Sequence, residues 1–159
     1  MGERARIIVV DDDDDDEGIR KVLKAILEEE GYIVDTAENG KEAIKKSNAT
    51  FYNLGLIDIR LSDMKGTKLL TAINEITPKM VKIIITGYPS LQNAIEAVDK
   101  GADAYILKPF DMDNVLDKIK KHLKKQQEAK KYSQEKVTEF IETRVKELEE
   151  EAVTHKKPR

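Results

Sequence analysis

Ile7-Ile8-Val9-Val10-Asp11-Asp12 is a short apolar run that ends in two carboxylates. Three further runs each end in a polar residue of another kind: Leu54–Ile57 in Asp58, Ile83–Ile85 in Thr86, and Tyr105–Leu107 in Lys108. Runs rich in Ile and Val that alternate with helical patterns read as buried parallel strands. In open α/β sheets the chemistry gathers at the carboxyl ends of such strands. The four ends are therefore expected to converge on one pocket. Asp11, Asp12, Asp58, Thr86 and Lys108 would supply three carboxylates, a hydroxyl and an ammonium, a set suited to a divalent cation and a phosphoryl group.

The sequence between these runs repeats one unit five times. After the first run, Ile19, Val22, Leu23, Ile26 and Leu27 recur at i, i+3, i+4, i+7 and i+8, which predicts an amphipathic helix ended by Gly31. Tyr32–Ala37 predicts a second strand, and Asn39-Gly40 introduces a shorter helix over Lys41–Ser47. Leu54–Ile59 is the third strand, followed by a helix marked by Leu69, Leu70 and Ile73 and closed by Pro78. Val81–Thr86 is the fourth, with Leu91, Ile95 and Val98 lining a helix from Ser90 to Gly101. Ala104–Leu107 is the fifth; Pro109 then breaks the chain, and Val115, Leu116, Ile119 and Leu123 open a last helix. Strands alternating with helices imply right-handed crossovers and a parallel sheet covered on both faces.

Composition narrows the class. Of 159 residues 40% are hydrophobic and 37% charged, enough apolar material for one core with surplus charge left for an appendage. A domain over residues 1–123 and a helical extension over 124–159 are expected. Cysteine is absent, which excludes disulfides, thiolate zinc sites and cysteine nucleophiles. Met1–Arg6 is charged and runs into a strand, so no signal peptide is read there, and no apolar stretch approaches the roughly 18 residues of a membrane span. A cytoplasmic location without membrane contact is expected. A net charge of −3 and a pI of about 5.6 argue against a dedicated nucleic-acid surface.

Several motifs together resemble the receiver domain of two-component response regulators, of the chemotaxis-regulator-like kind. They are Val9-Val10-Asp11-Asp12, Leu56-Ile57-Asp58 with Met64-Lys65-Gly66, Ile84-Ile85-Thr86-Gly87, and Lys108-Pro109-Phe110 preceded by Gly101-Ala102. The resemblance spans roughly residues 5–123 and implies a five-stranded flavodoxin-like fold with strand order 2-1-3-4-5. It implies that Asp58 accepts a phosphoryl group from a histidine kinase or histidine phosphotransfer protein. It also implies Mg²⁺ held by Asp12 and Asp58 directly, by Asp11 through water, and by the carbonyl of Arg60. Thr86 and Lys108 would then stabilise the phosphoryl oxygens, and Thr86 with Tyr105 would form a switch. Such a receiver catalyses its own phosphorylation and dephosphorylation and is not a turnover enzyme.

Elementary chemistry agrees with those roles. Two carboxylates about 4 Å apart repel by about 4 kcal/mol at an effective dielectric near 20, so a cation is needed to hold them together. Mg²⁺ takes six hard oxygens and keeps waters, which suits a few carboxylates, a carbonyl and a phosphate. Charge spread over a transferring phosphoryl group is stabilised by positioned donors. The Lys108-Pro109 bond is a candidate cis peptide that would aim the ammonium into the pocket. Arg60, two residues after Asp58, and Tyr88, two after Thr86, lie where side chains could gate water.

Two features depart from the family pattern. The acids continue from Asp11 to Asp16 and Glu17; register from the strand selects Asp11 and Asp12, whereas register from the helix would select Asp14 and Asp15. Ser62 stands where proline is usual after the acceptor. Alternatives are a phosphorylation-independent binding module and an aspartate-nucleophile phosphatase of the haloacid dehalogenase type. The second needs its nucleophile on the first strand and further acids after the fourth, and Ile83–Tyr88 supplies none. From Asp111 to Ala152 the chain has neither Gly nor Pro, so the last helix is expected to continue, with Val137, Ile141, Val145, Leu148 and Ala152 on one stripe. Forty helical residues would reach about 60 Å. Such an exposed stripe needs a partner, and homodimerisation through it is the expectation.

Overall fold

The computed structural model describes residues 4–11 and 17–155. Five strands and five helices alternate: β1 (Arg6–Val10), α1 (Glu17–Glu29), β2 (Ile33–Ala37), α2 (Gly40–Ala49), β3 (Leu54–Asp58), α3 (Gly66–Ile76), β4 (Val81–Thr86), α4 (Leu91–Asp99), β5 (Ala104–Leu107) and α5 (Met112–His155). The strands are all parallel and lie in the order β2-β1-β3-β4-β5, the flavodoxin-like order expected from the sequence. The chain divides into two compact units, Met1–Leu123 and Lys124–Arg159.

The core of the first unit follows from the two-residue period of a strand. Ile7, Val9, Leu54, Leu56, Ile83 and Ile85 face one side, where Leu23 and Leu27 of α1 and Val115 and Ile119 of α5 cover them. Ile8, Val10, Ile57 and Ile84 face the other, under Ala43 of α2, Leu69, Leu70 and Ile73 of α3, and Ala97 of α4. Two layers of helix thus leave β1, β3 and β4 buried almost throughout, which is why their sequences are nearly unbroken apolar runs.

Gly31 and Gly101 end α1 and α4 with φ of 100° and 101°. At each, the glycine amide and the next amide bond back to carbonyls of the last turn, Gly31 to Glu28 and Tyr32 to Leu27, Gly101 to Val98 and Ala102 to Ala97. This paired closure needs a left-handed residue, which glycine adopts without a Cβ penalty.

Two helical faces differ from expectation. On α1, Val22 is exposed, while Arg20 is buried beside Leu23 and Leu27. On α4, Leu91, Ile95 and Val98 are exposed at 79%, 53% and 66%, and Ala97 is the residue that meets the sheet. The small Ala97 lets the helix approach closely, and Glu96 on its inner side accepts a hydrogen bond from Thr67 Oγ1 at 3.1 Å and pairs with Lys100 at 3.5 Å. The apolar stripe therefore points to solvent. β3 stops at Asp58, one residue short of the expected Ile59, and β2 starts at Ile33.

The second unit is α-helical over its described residues, 124–155. Val137, Phe140, Ile141, Val145 and Leu148 are all exposed on it.

Candidate functional site

Adjacent registers bring the four strand ends to one edge of the sheet. Val10 pairs with Ile57, Asp58 with Ile85, and Thr86 with Leu107, so Asp11 follows at the level of Asp58, with Thr86 one residue and Lys108 two residues further along the same edge. Lys108 follows β5 directly and its amide donates to the Thr86 carbonyl at 2.8 Å, which ties the ends of β4 and β5 together. The Lys108-Pro109 bond is cis.

One ammonium joins two carboxylates. Lys108 Nζ lies 2.9 Å from Asp11 Oδ2 and 2.9 Å from Asp58 Oδ2, and both acids are buried. Burial alone would push the Lys108 ammonium down, but hydrogen bonds and charge from Asp58 and Asp11 outweigh it, and the net shift is upward. Lys108 is therefore a fixed cation across the physiological pH range. The other oxygen of Asp58, Oδ1, accepts the Arg60 amide at 3.1 Å. Asp11 is anchored through its backbone: its amide donates to the Ala37 carbonyl at 3.2 Å, and Arg20 Nη1 donates to its carbonyl.

Thr86 is fully buried, and its Oγ1 accepts the Tyr88 amide at 3.0 Å. A hydroxyl that accepts still has its own proton to donate. Tyr105 pairs with Ile84, two residues before Thr86 on the same side of the sheet, and packs half-buried against the Ile84 cluster. Burial raises its hydroxyl pKa. At the rim, the Arg60 guanidinium sits 3.7 Å from the centroid of the exposed Tyr88 ring. The residues two past Asp58 and two past Thr86 thus stack on each other.

Asp11, Asp58 and Lys108 are brought into direct contact, and Thr86, Arg60 and Tyr105 stand around them. Asp12, like the alternative pair Asp14 and Asp15, lies outside the described residues. Among the described residues no group of three or more His, Asp or Glu forms a metal cage. The donor set nonetheless fits Mg²⁺: buried carboxylate oxygens converge on a point already occupied by a positive charge, and hard oxygens are what that ion takes. Two residues were not anticipated. Arg20 was signalled by its place at i−3 and i−7 from Leu23 and Leu27, on the buried face. Asp63, whose carboxylate accepts the Gly40 and Lys41 amides at 2.9 Å each, carries no local signal because its partners are more than twenty residues away.

A doubly covered 2-1-3-4-5 sheet with an Asp–Lys–Asp cluster at its carboxyl edge defines a receiver domain. Residues 7–120 match the family model described as the response regulator receiver domain, and the chain belongs to that family. The haloacid dehalogenase alternative is set aside by this membership. Among solved structures, a receiver domain protein described as CheY-like from Methanospirillum hungatei JF-1 is 43% identical with a TM-score of 0.76, covering 80% of this chain and 99% of that one. A response regulator from Burkholderia pseudomallei, described with a phosphorylated aspartic acid, calcium ion and citrate, is 28% identical with a TM-score of 0.68, covering 79% and 72%. The transcriptional regulatory protein ZraR of Escherichia coli K12 is 35% identical over 102 residues, 64% of this chain but only 23% of the relative's length. The present chain thus spans under a quarter of that relative.

Proposed function

We propose that the chain is a phosphoacceptor switch in which Asp58 takes a phosphoryl group from a histidine kinase or histidine phosphotransfer protein. The observation that carries this reading is the bridge by which the partly buried Lys108 joins the buried Asp11 and Asp58, 2.9 Å on each side, at the carboxyl ends of parallel strands. A carboxylate oxygen of Asp58 attacks phosphorus in line with the donor, the phosphorus–nitrogen bond of the phosphohistidine breaks, and the imidazole leaves. Lys108 Nζ and the Thr86 hydroxyl donate to the phosphoryl oxygens as their charge redistributes. Asp12 and Asp58, with Asp11 through water and the Arg60 carbonyl, would hold Mg²⁺. When bound, that ion offsets the charge of the carboxylates and phosphoryl oxygens. The phosphorylated aspartate and calcium ion described for the Burkholderia protein support the chemistry by likeness.

The output follows from the same geometry. Drawing the Thr86 hydroxyl toward the phosphoryl group withdraws it from the Tyr88 amide and frees space next to Tyr105, so a charge event becomes a packing choice on the β4–α4–β5 face. The exposed Leu91, Ile95 and Val98 of α4 give that face an apolar surface for a partner or an output domain. The chain works as a stoichiometric acceptor rather than a turnover enzyme, in the cytoplasm, where its kinase donors act. Among the described residues no helix is long and apolar enough to cross a membrane. These 159 residues make no nucleic-acid contact of their own in this reading. A longer protein carrying the domain could do so, in keeping with the name of the Escherichia coli relative.

Intact mass after incubation with phosphoramidate tests the proposal. Wild type gains one phosphoryl mass only when Mg²⁺ is present, and Asp58→Asn gains none. Donor left unconsumed by wild type would sink it in favour of a phosphorylation-independent binding module.

A further inference from the structure

The loop that follows Asp58 is held at both ends. At its neck the Gly66 amide donates to the Ile59 carbonyl at 2.7 Å, and Arg60 and Lys65 form an isolated bridge. At its tip the Asp63 carboxylate takes the Gly40 amide on Oδ1 and the Lys41 amide on Oδ2, each at 2.9 Å. These amides belong to the first turn of α2, where helical N–H groups have no partner within the helix and negative charge is favoured. Asn39 covers the next donor, the Glu42 amide, at 2.8 Å. Beside this contact Met64 lies over Gly40 so closely that a Cβ there would collide with its thioether.

The same short segment holds the other acid of the pocket. Ala37 accepts the Asp11 amide, and Arg20, bonded to the Asp11 carbonyl, comes within 3.9 Å of Glu38. Residues 37–41 are thus a common fixture to which Asp11 and the Asp58 loop are each tied. Ser62 in the loop lacks the fixed φ that proline would impose, so the loop needs its order from elsewhere.

We infer that Asp63 is a positioning residue: by bracing the β3–α3 loop on the first turn of α2 it sets the Arg60 backbone against Asp58, and so the spacing of the oxygens that receive Mg²⁺ and the phosphoryl group. Asp63 touches neither reactant. This inference rests on the phosphoacceptor reading above, and its test separates the two.

Asp63→Ala and Asp63→Asn in the full chain are compared with wild type by two readouts. The first is amide hydrogen exchange at Arg60 and Gly66, which requires neither metal nor phosphate. The second is the Mg²⁺ concentration for half-maximal phosphorylation by phosphoramidate. In Asp63→Ala, exchange at both amides accelerates about tenfold while Ile8, Ile57 and Ile84 keep wild-type protection. The Mg²⁺ requirement rises by about tenfold, as for loss of a residue that orients a metal ligand. Asp63→Asn, which keeps one acceptor oxygen, falls between. Unchanged exchange in a folded Asp63→Ala, or faster exchange with an unchanged Mg²⁺ requirement, overturns the inference. If Asp63→Ala does not fold, wild-type values of both readouts in Asp63→Asn overturn it. A wild type that takes no phosphoryl group refutes the phosphoacceptor reading instead, while the exchange comparison still shows whether the brace exists.

Discussion

Lys108 sits between two buried acids at 2.9 Å, and the hydroxyl of Thr86 is already committed to an amide two residues on. Among the described residues two carboxylates thus share one ammonium, an excess of negative charge that favours a cation in the proposed phosphoacceptor pocket. These residues were legible because each ends an apolar run, where a strand must deliver it to the sheet edge. Arg60 and Tyr88 were legible only as positions; their stacking was not, since it depends on how two loops fold back. A cation–π contact at an exposed rim contributes about 0.5–1 kcal/mol. Tyr88→Ala is accordingly expected to shorten the lifetime of the aspartyl phosphate by about two- to fivefold, followed as loss of adduct after donor removal. An unchanged lifetime would mean that the stack does not shield the pocket from water. Thr86→Ala is expected to separate phosphorylation from its readout. The phosphorylated variant should leave the Tyr105 resonances at their unphosphorylated positions in NMR spectra; the wild-type shift would contradict the coupling.

At the scale of elements, strands were read more faithfully than helical faces. An Ile/Val run covered on both sides allows one interpretation, whereas a helical stripe announces an apolar face without saying what covers it. α4 illustrates this: Ala97 and Glu96 turn inward, and Leu91, Ile95 and Val98 turn out. α1 shows the reverse, with the aliphatic stem of Arg20 in the buried row and its guanidinium spent on the Asp11 carbonyl. Loops were the least legible, because their order comes from backbone donors that no residue type marks. The neck of the β3–α3 loop is the tightest point. A Cβ at Gly66 would collide with the Asp58 carbonyl oxygen and lie 2.9 Å from Ile59 Cα, both backbone atoms that cannot swing aside. Gly66→Ala is therefore expected to destabilise the fold by about 2–3 kcal/mol in urea titrations, the upper part of the range for overpacking. A loss under 0.5 kcal/mol would show that the neck can open.

At the scale of the molecule, the two units pose different problems. The first is closed on itself, with both sheet faces covered by its own helices. The second keeps Val137, Ile141, Val145 and Leu148 at 57%, 54%, 48% and 47% exposure along one stripe of helix. An isolated helix gains little stability from propensity alone, so a second copy is the partner expected for this stripe. Light scattering at micromolar concentration is expected to give a dimer mass for wild type and a monomer mass for Ile141→Glu with Leu148→Glu; a wild-type monomer would contradict it. Across both units, the proposed role of the sheet edge is to receive a phosphoryl group on Asp58. Borohydride reduction of the phosphorylated chain, followed by peptide mapping, tests it most directly, since an aspartyl phosphate is reduced to homoserine. Homoserine at position 58 alone is the result expected; homoserine at position 11, within 12–16, or at no position would contradict the account.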